Sequence, residues 1–110
     1  MLEIFPEPIS ELPEADFPLE GITAYLAQGD TFQIIFMKFG KDVIFEEHSP
    51  ESQWGVFLEG KIDLVIDGEK SQFKKGDRYF IPKGIRHSGK IYKGYADITY
   101  FNQKDRYKTK

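Results

Sequence analysis

Beyond residue 21, apolar and polar residues alternate in short runs, each broken by Gly, Pro, Asp or Asn. Residues 22–27 and 31–39 flank Gln28-Gly29-Asp30 and predict a hairpin. Strands follow at 42–48, 54–58 and 61–66, and Asp67-Gly68 is a tight-turn pair. Further strands fall near 70–73 and 78–81. A hairpin around Lys93-Gly94 joins 90–92 to 95–101. No stretch holds a 3.6-residue period. Eight or nine short, closely spaced strands predict an all-β sandwich or barrel.

The first twenty residues behave differently. Pro6, Pro8, Pro13 and Pro18 forbid a helix or a central strand, so residues 1–20 read as an extended arm. Residues 21–103 form the barrel and 104–110 a tail. Charge follows the same division. Residues 1–37 carry seven acids and no base, whereas the tail holds Lys104, Arg106, Lys108 and Lys110 against Asp105. Two solvated ends are the simple expectation; the sharper one sets the acidic segment of one subunit near the basic tail of another.

Composition then narrows the chemistry. The chain has 110 residues, 40 % of them hydrophobic, which suffices for one folded core. A net charge of −3 offers no general attraction to nucleic acid or anionic membrane. Cysteine is absent, so disulfides, thiolate metal sites and cysteine nucleophiles drop out. Neither a signal-peptide pattern nor a long apolar run is present, and a soluble, cytoplasmic protein is expected. No serine has a His–acid relay, and there is no phosphate loop.

Only two histidines occur, His48 and His87, and each sits in a punctuated segment. The first runs from Gly40 through Glu46, Glu47, His48 and Gln53 to Gly60. Strand alternation puts Ile44, Glu46 and His48 on one face and Val43, Phe45 and Glu47 on the other. A register with Glu47 inward is the alternative, and it breaks the parity with His48. In the second segment, from Gly76, His87 follows the Pro82-Lys83-Gly84 turn. Two imidazoles, a carboxylate and an amide oxygen, from Glu46, His48, Gln53 and His87, make a donor set for a first-row divalent metal such as Mn, Fe, Ni, Cu or Zn. Gln33, polar among apolar neighbours, is a candidate pocket residue or a solvated edge. Arg86 reads as solvated, and Trp54, Tyr79, Tyr92 and Tyr100 as core or interface.

These spacings resemble the two motifs of the cupin superfamily. The first runs Gly, five residues, His-x-His, three or four residues, Glu, six residues, Gly. Gly40, His48 and Gly60 match it, with Glu46 where the first His belongs and Gln53 in place of Glu. The second runs Gly, five residues, Pro-x-Gly, two residues, His, three residues, Asn. Gly76, Pro82, Gly84 and His87 match it, with Ile91 in place of Asn. The resemblance implies a double-stranded β-helix (jelly roll) with its site in the barrel mouth, and commonly a homodimer.

It also implies a function: metal-assisted proton transfer or isomerisation of a small polar molecule such as a sugar or uronate, with Glu46 as base if it is not a ligand. Pectin-degradation cupins pair their histidines with a glutamine, as His48, Gln53 and His87 do here. They also carry Asp-x-aromatic and then Arg on the last strand. Phe101 fits that signature as a ligand-binding residue, Thr99 replaces the acid, and Arg106 falls one residue late. The alternative is a non-catalytic metabolite-binding or sensing cupin, metal-free in one version. A dioxygenase ranks third, because the third His is missing.

Overall fold

The computed structural model describes residues 4–17, 19–48 and 51–110, without the side chain of His48. Nine strands follow one single-turn 3-10 helix, Ile9–Glu11: β1 Ile22–Gln28, β2 Gln33–Phe39, β3 Val43–His48, β4 Gln53–Glu59, β5 Lys61–Ile66, β6 Glu69–Lys74, β7 Arg78–Ile81, β8 Arg86–Ile91 and β9 Ala96–Phe101. They form two antiparallel sheets, β1-β2-β9-β4-β7 and β3-β8-β5-β6, the arrangement of a jelly roll. No helix among the described residues is long and apolar enough to cross a membrane.

Alternation decides which side chains enter the barrel. On β2, Gln33, Ile35, Met37 and Phe39 are buried while their neighbours are half-exposed. On β9, Asp97, Thr99 and Phe101 point inward together. Phe57, Ile62, Leu64 and Ile91 complete the apolar interior. Close backbone approach also has a sequence cause. At Gly60 (φ +75°), a Cβ would lie 2.7 Å from the Tyr95 Cα, so only glycine lets these turns stack. At Gly55, the ring of Tyr79 occupies the space a side chain would take.

The predicted strands correspond to the observed ones, with one shifted edge. β8 starts at Arg86 rather than near Lys90. Its opening residues, Arg86, His87 and Ser88, are weak strand formers held from both sides by β3 and β5. Pairing on two edges outweighs local propensity.

The two charged ends meet within one chain. Ala15 and Thr109 form a β-bridge, the Asp16 amide donates to the Lys108 carbonyl at 2.7 Å, and the Lys110 amide donates to the Glu14 carbonyl at 2.9 Å. Phe5 is buried edge-on against Tyr25 and Phe36, and Phe17 stacks on Tyr107. The leading segment is therefore packed onto the barrel by aromatic burial. The half-exposed Glu14–Lys110 ion pair at 3.8 Å adds little.

Candidate functional site

A cavity of about 150 Å³ opens inside the barrel. Its walls are mostly aliphatic and aromatic, with polar groups gathered at two levels. The strand register gives the separation. Gln53 pairs with Phe101 at one level and Phe57 with Asp97 at the other, four residues apart. At about 3.3 Å per residue the levels lie ~13 Å apart along the strands.

At the Gln53 level, three donors converge. His87, 3 % exposed, pairs in register with Glu47 of β3 and Ile66 of β5. Its Nε2 stands 3.2 Å from Glu47 Oε2 and 3.2 Å from Gln53 Nε2. One ring nitrogen cannot satisfy both neighbours: it needs a proton to donate to the carboxylate and a lone pair to accept from the amide. His87 Nδ1 is buried and has no hydrogen-bond partner among the described residues. Arg106 completes the group from the segment after β9, its guanidinium donating to Glu47 Oε2 at 2.6 Å. It stacks over Phe101, 5.2 Å from the ring centroid. Burial pushes the Glu47 carboxyl upward, but the His87 hydrogen bond and the Arg106 charge outweigh it, and the net shift is downward. Glu47 is thus held as a carboxylate.

The face of β3 is the reverse of the one expected. Ile44 is 81 % exposed, and the Glu46 side chain lies on the surface, 3.9 Å from Arg86. Val43, Phe45 and Glu47 line the cavity. Two apolar side chains turned inward outweigh one, so the strand buries Val43 and Phe45 and carries Glu47 in with them. Glu46, expected as ligand and base, takes no part in the cluster. The His48 side chain, expected as a ligand, lies outside the described residues. Gln53 and His87 stand together in the barrel.

Gln33 and Phe101, the expected ligand contacts, separate. Phe101 lines the cavity. Gln33 is fully buried but spends its amide on the chain itself: Nε2 donates to Gln28 Oε1 and to the Tyr107 carbonyl, and Oε1 accepts from the Tyr107 amide. It clamps the C-terminal segment that carries Arg106. Arg86 is exposed, in line with the solvated reading.

At the Asp97 level lies a second polar group. The Tyr95 hydroxyl donates to Asp97 Oδ2 in a short hydrogen bond, and the Tyr79 and Thr99 hydroxyls are 3.0 Å apart. Burial raises Asp97 to about 7, against the downward pull of the Tyr95 and Thr99 hydroxyls. Burial also pushes the Tyr79 and Tyr95 hydroxyls well above their usual range, so both remain protonated. Sequence reasoning missed Asp97, although its place two and four residues before Thr99 and Phe101 puts all three on one strand face.

The mouth can be tested against a metal on its own donors. Ligands about 2.1 Å from one ion at right angles stand about 3 Å apart. The 3.2 Å separations around His87 Nε2 match that spacing. Gln53, with its amide turned to present Oε1, would join the imidazole and the carboxylate as lone-pair donors. Among the described residues no cluster of three or more His, Asp or Glu side chains forms, so the amide is needed as the third donor.

A jelly-roll barrel with polar side chains converging inside its mouth defines a cupin-type pocket. The family comparison agrees: the cupin domain model Cupin_2 matches residues 33–91, over half the chain, and the chain belongs to that family. A quercetin 2,3-dioxygenase of Bacillus subtilis is 37 % identical over 62 residues, covering 54 % of this chain and 18 % of the relative. The chain therefore spans under a fifth of that protein's length. Among solved structures, an RmlC-like cupin from Shewanella frigidimarina superposes with a TM-score of 0.75 at 19 % identity, covering 96 % of this chain and 95 % of the other. KdgF from Halomonas sp. gives 0.69 at 17 % identity, covering 83 % and 89 %. At such identities the structural likeness speaks to the fold alone.

Proposed function

We propose that this chain is a small-molecule cupin that binds a divalent transition metal through His87, Glu47 and Gln53 and promotes proton transfer or isomerisation of a small polar molecule. The observation that carries the reading is the convergence of Glu47 and Gln53 on His87 Nε2, each 3.2 Å away and each able to offer a lone pair to one ion. A bound dication would supply Lewis-acid polarisation of a substrate carbonyl or hydroxyl. The residues themselves do the rest. Arg106 fixes the Glu47 carboxylate through Oε2, which leaves Oε1 to accept a proton. The protonated Tyr79 hydroxyl lies 3.0 Å from that of Thr99, and when Thr99 donates to it the Tyr79 proton is left for the substrate. Apolar walls keep water out and strengthen each of these interactions. The motif likeness to pectin-degradation cupins makes uronates the first substrate class to assay. A cytoplasmic homodimer, expected from the sequence and the family likeness, belongs to the same reading.

One observation favours a second reading, a binding or sensing cupin without metal. Arg106 lies 2.6 Å from Glu47 Oε2, and a guanidinium there neutralises the carboxylate a dication would need. Metal analysis of tag-free protein separates the two. Under the first reading the wild type carries one equivalent, and His87→Ala weakens affinity by more than about 100-fold, beyond the usual effect of outer-shell changes. A metal-free wild type that is stabilised by uronates or sugars overturns the first reading in favour of the second.

A further inference from the structure

The outer faces of the two sheets are unlike. Across β3, β8, β5 and β6, an outward row reads Ile44, Lys90, Asp63 and Gln72. That is the mainly polar exterior of a sheet with one face in water. Across β2, β9, β4 and β7, the outward row is Ile34, Tyr100, Trp54 and Phe80. The row beside it is Phe36, Ile98, Val56 and Arg78, whose one charge stands on the edge strand β7. Phe80 is 56 % exposed, Trp54 44 % and Tyr100 37 %, and Phe32 stacks on Tyr100. The leading segment of the chain already packs on one corner of this face, where Phe5 meets Phe36. We propose that the uncovered part, centred on Trp54, is the contact between two copies of this chain. The proposal rests on the homodimer in the reading above and gives it a face.

The chemistry of the face selects its occupant. Beyond Arg78, the two rows offer side-chain hydrogen bonds only from the Trp54 indole and the Tyr100 hydroxyl. A nucleic acid or anionic ligand needs clustered cations, so the fitting partner is another apolar surface rich in aromatic side chains. A second copy brings that surface, and a two-fold axis lying in the face sets row against row. Apolar contact is non-directional and requires no further pattern, while Arg78 falls toward the rim. Area sets the strength. The three exposed rings leave roughly 200–350 Å² open on each copy. With the half-exposed Phe32, Ile34, Val56 and Ile98 around them, two copies bury on the order of 1,000 Å², the low end for a specific interface. The dimer is therefore weak, with a Kd on the order of micromolar.

Trp54 is the one tryptophan in the chain, so its emission reports this face directly. The test is sedimentation velocity and fluorescence on the full chain from about 1 µM to about 500 µM, spanning the expected Kd. Monomer should give way to dimer as concentration rises, and Trp54 emission should shift to the blue in step. Phe80→Glu places a carboxylate in the row and should weaken association by more than about 100-fold. Phe80→Ala, which adds no charge, should weaken it roughly tenfold. Ile44→Glu, at the 81 % exposed position on the other sheet, should dimerise as the wild type does. A monomer at every concentration overturns both this proposal and the homodimer. Emission that does not follow association, a dimer that survives Phe80→Glu, or one that Ile44→Glu also breaks overturns this face and leaves the homodimer standing.

Discussion

Glu47 and Asp97 carry the same functional group in the same barrel, and their environments drive them in opposite directions. Glu47 sits at the mouth with Arg106 and His87 against one oxygen, and its carboxyl falls below its ordinary value. Asp97 sits among tyrosines, with no lysine or arginine among the described residues that line the cavity, and rises to about 7. Position relative to charge and solvent, rather than residue type, sets the role of each group. One end of the pocket presents a carboxylate, the other a carboxyl that holds its proton up to about pH 7.

The largest effect expected from this contrast is a pH dependence of stability. With its folded pKa raised from 3.8 to about 7, Asp97 binds a proton in the native state that the unfolded chain has released. Stability therefore falls as pH rises from about 4 to about 7 and levels off above that. The Asp97 contribution to this loss is about 4 kcal/mol as an order of magnitude. Asp97→Asn should flatten the curve in denaturant titrations at several pH values. An unchanged slope would show that Asp97 ionises normally.

At the mouth the expected effect is smaller. Glu47→Gln leaves the largely buried Arg106 guanidinium without its anionic partner and should cost about 1–3 kcal/mol. Glu46→Gln, one residue earlier, should lie within about 0.5 kcal/mol of wild type, since it loses only an exposed pair with Arg86. Chemical denaturation of the two single variants compares the faces of β3 directly. Equal losses would contradict the inward placement of Glu47.

Much of this architecture is legible in the sequence, and the exceptions have physical causes. Turn residues and alternation mark the strands, and the motif spacing brings Gln53 and His87 into one barrel. Alternation alone, however, yields two faces without saying which one is buried. On β3 one face offers Ile44 and Glu46 and the other Val43, Phe45 and Glu47, so counting from His48 selects Glu46, while burial of Val43 and Phe45 selects Glu47. Arg106 follows the last strand, where no periodicity exists to aim a side chain; Gln33 holds that segment through the Tyr107 backbone, a contact between residues far apart in sequence. Asp97 sits on a readable face, but an acid between Ala96 and Ile98 looks solvent-facing until the Tyr95 hydroxyl is seen to accompany it.

The contrast between the two carboxyls can be measured in one experiment, a carboxyl ¹³C NMR titration of protein labelled at Asp and Glu. The Asp97 signal should titrate near 7, and the Glu47 signal should titrate below the ordinary glutamate range. If both signals titrate at ordinary carboxylate values, the barrel does not have two opposed ends and the account of its pocket fails.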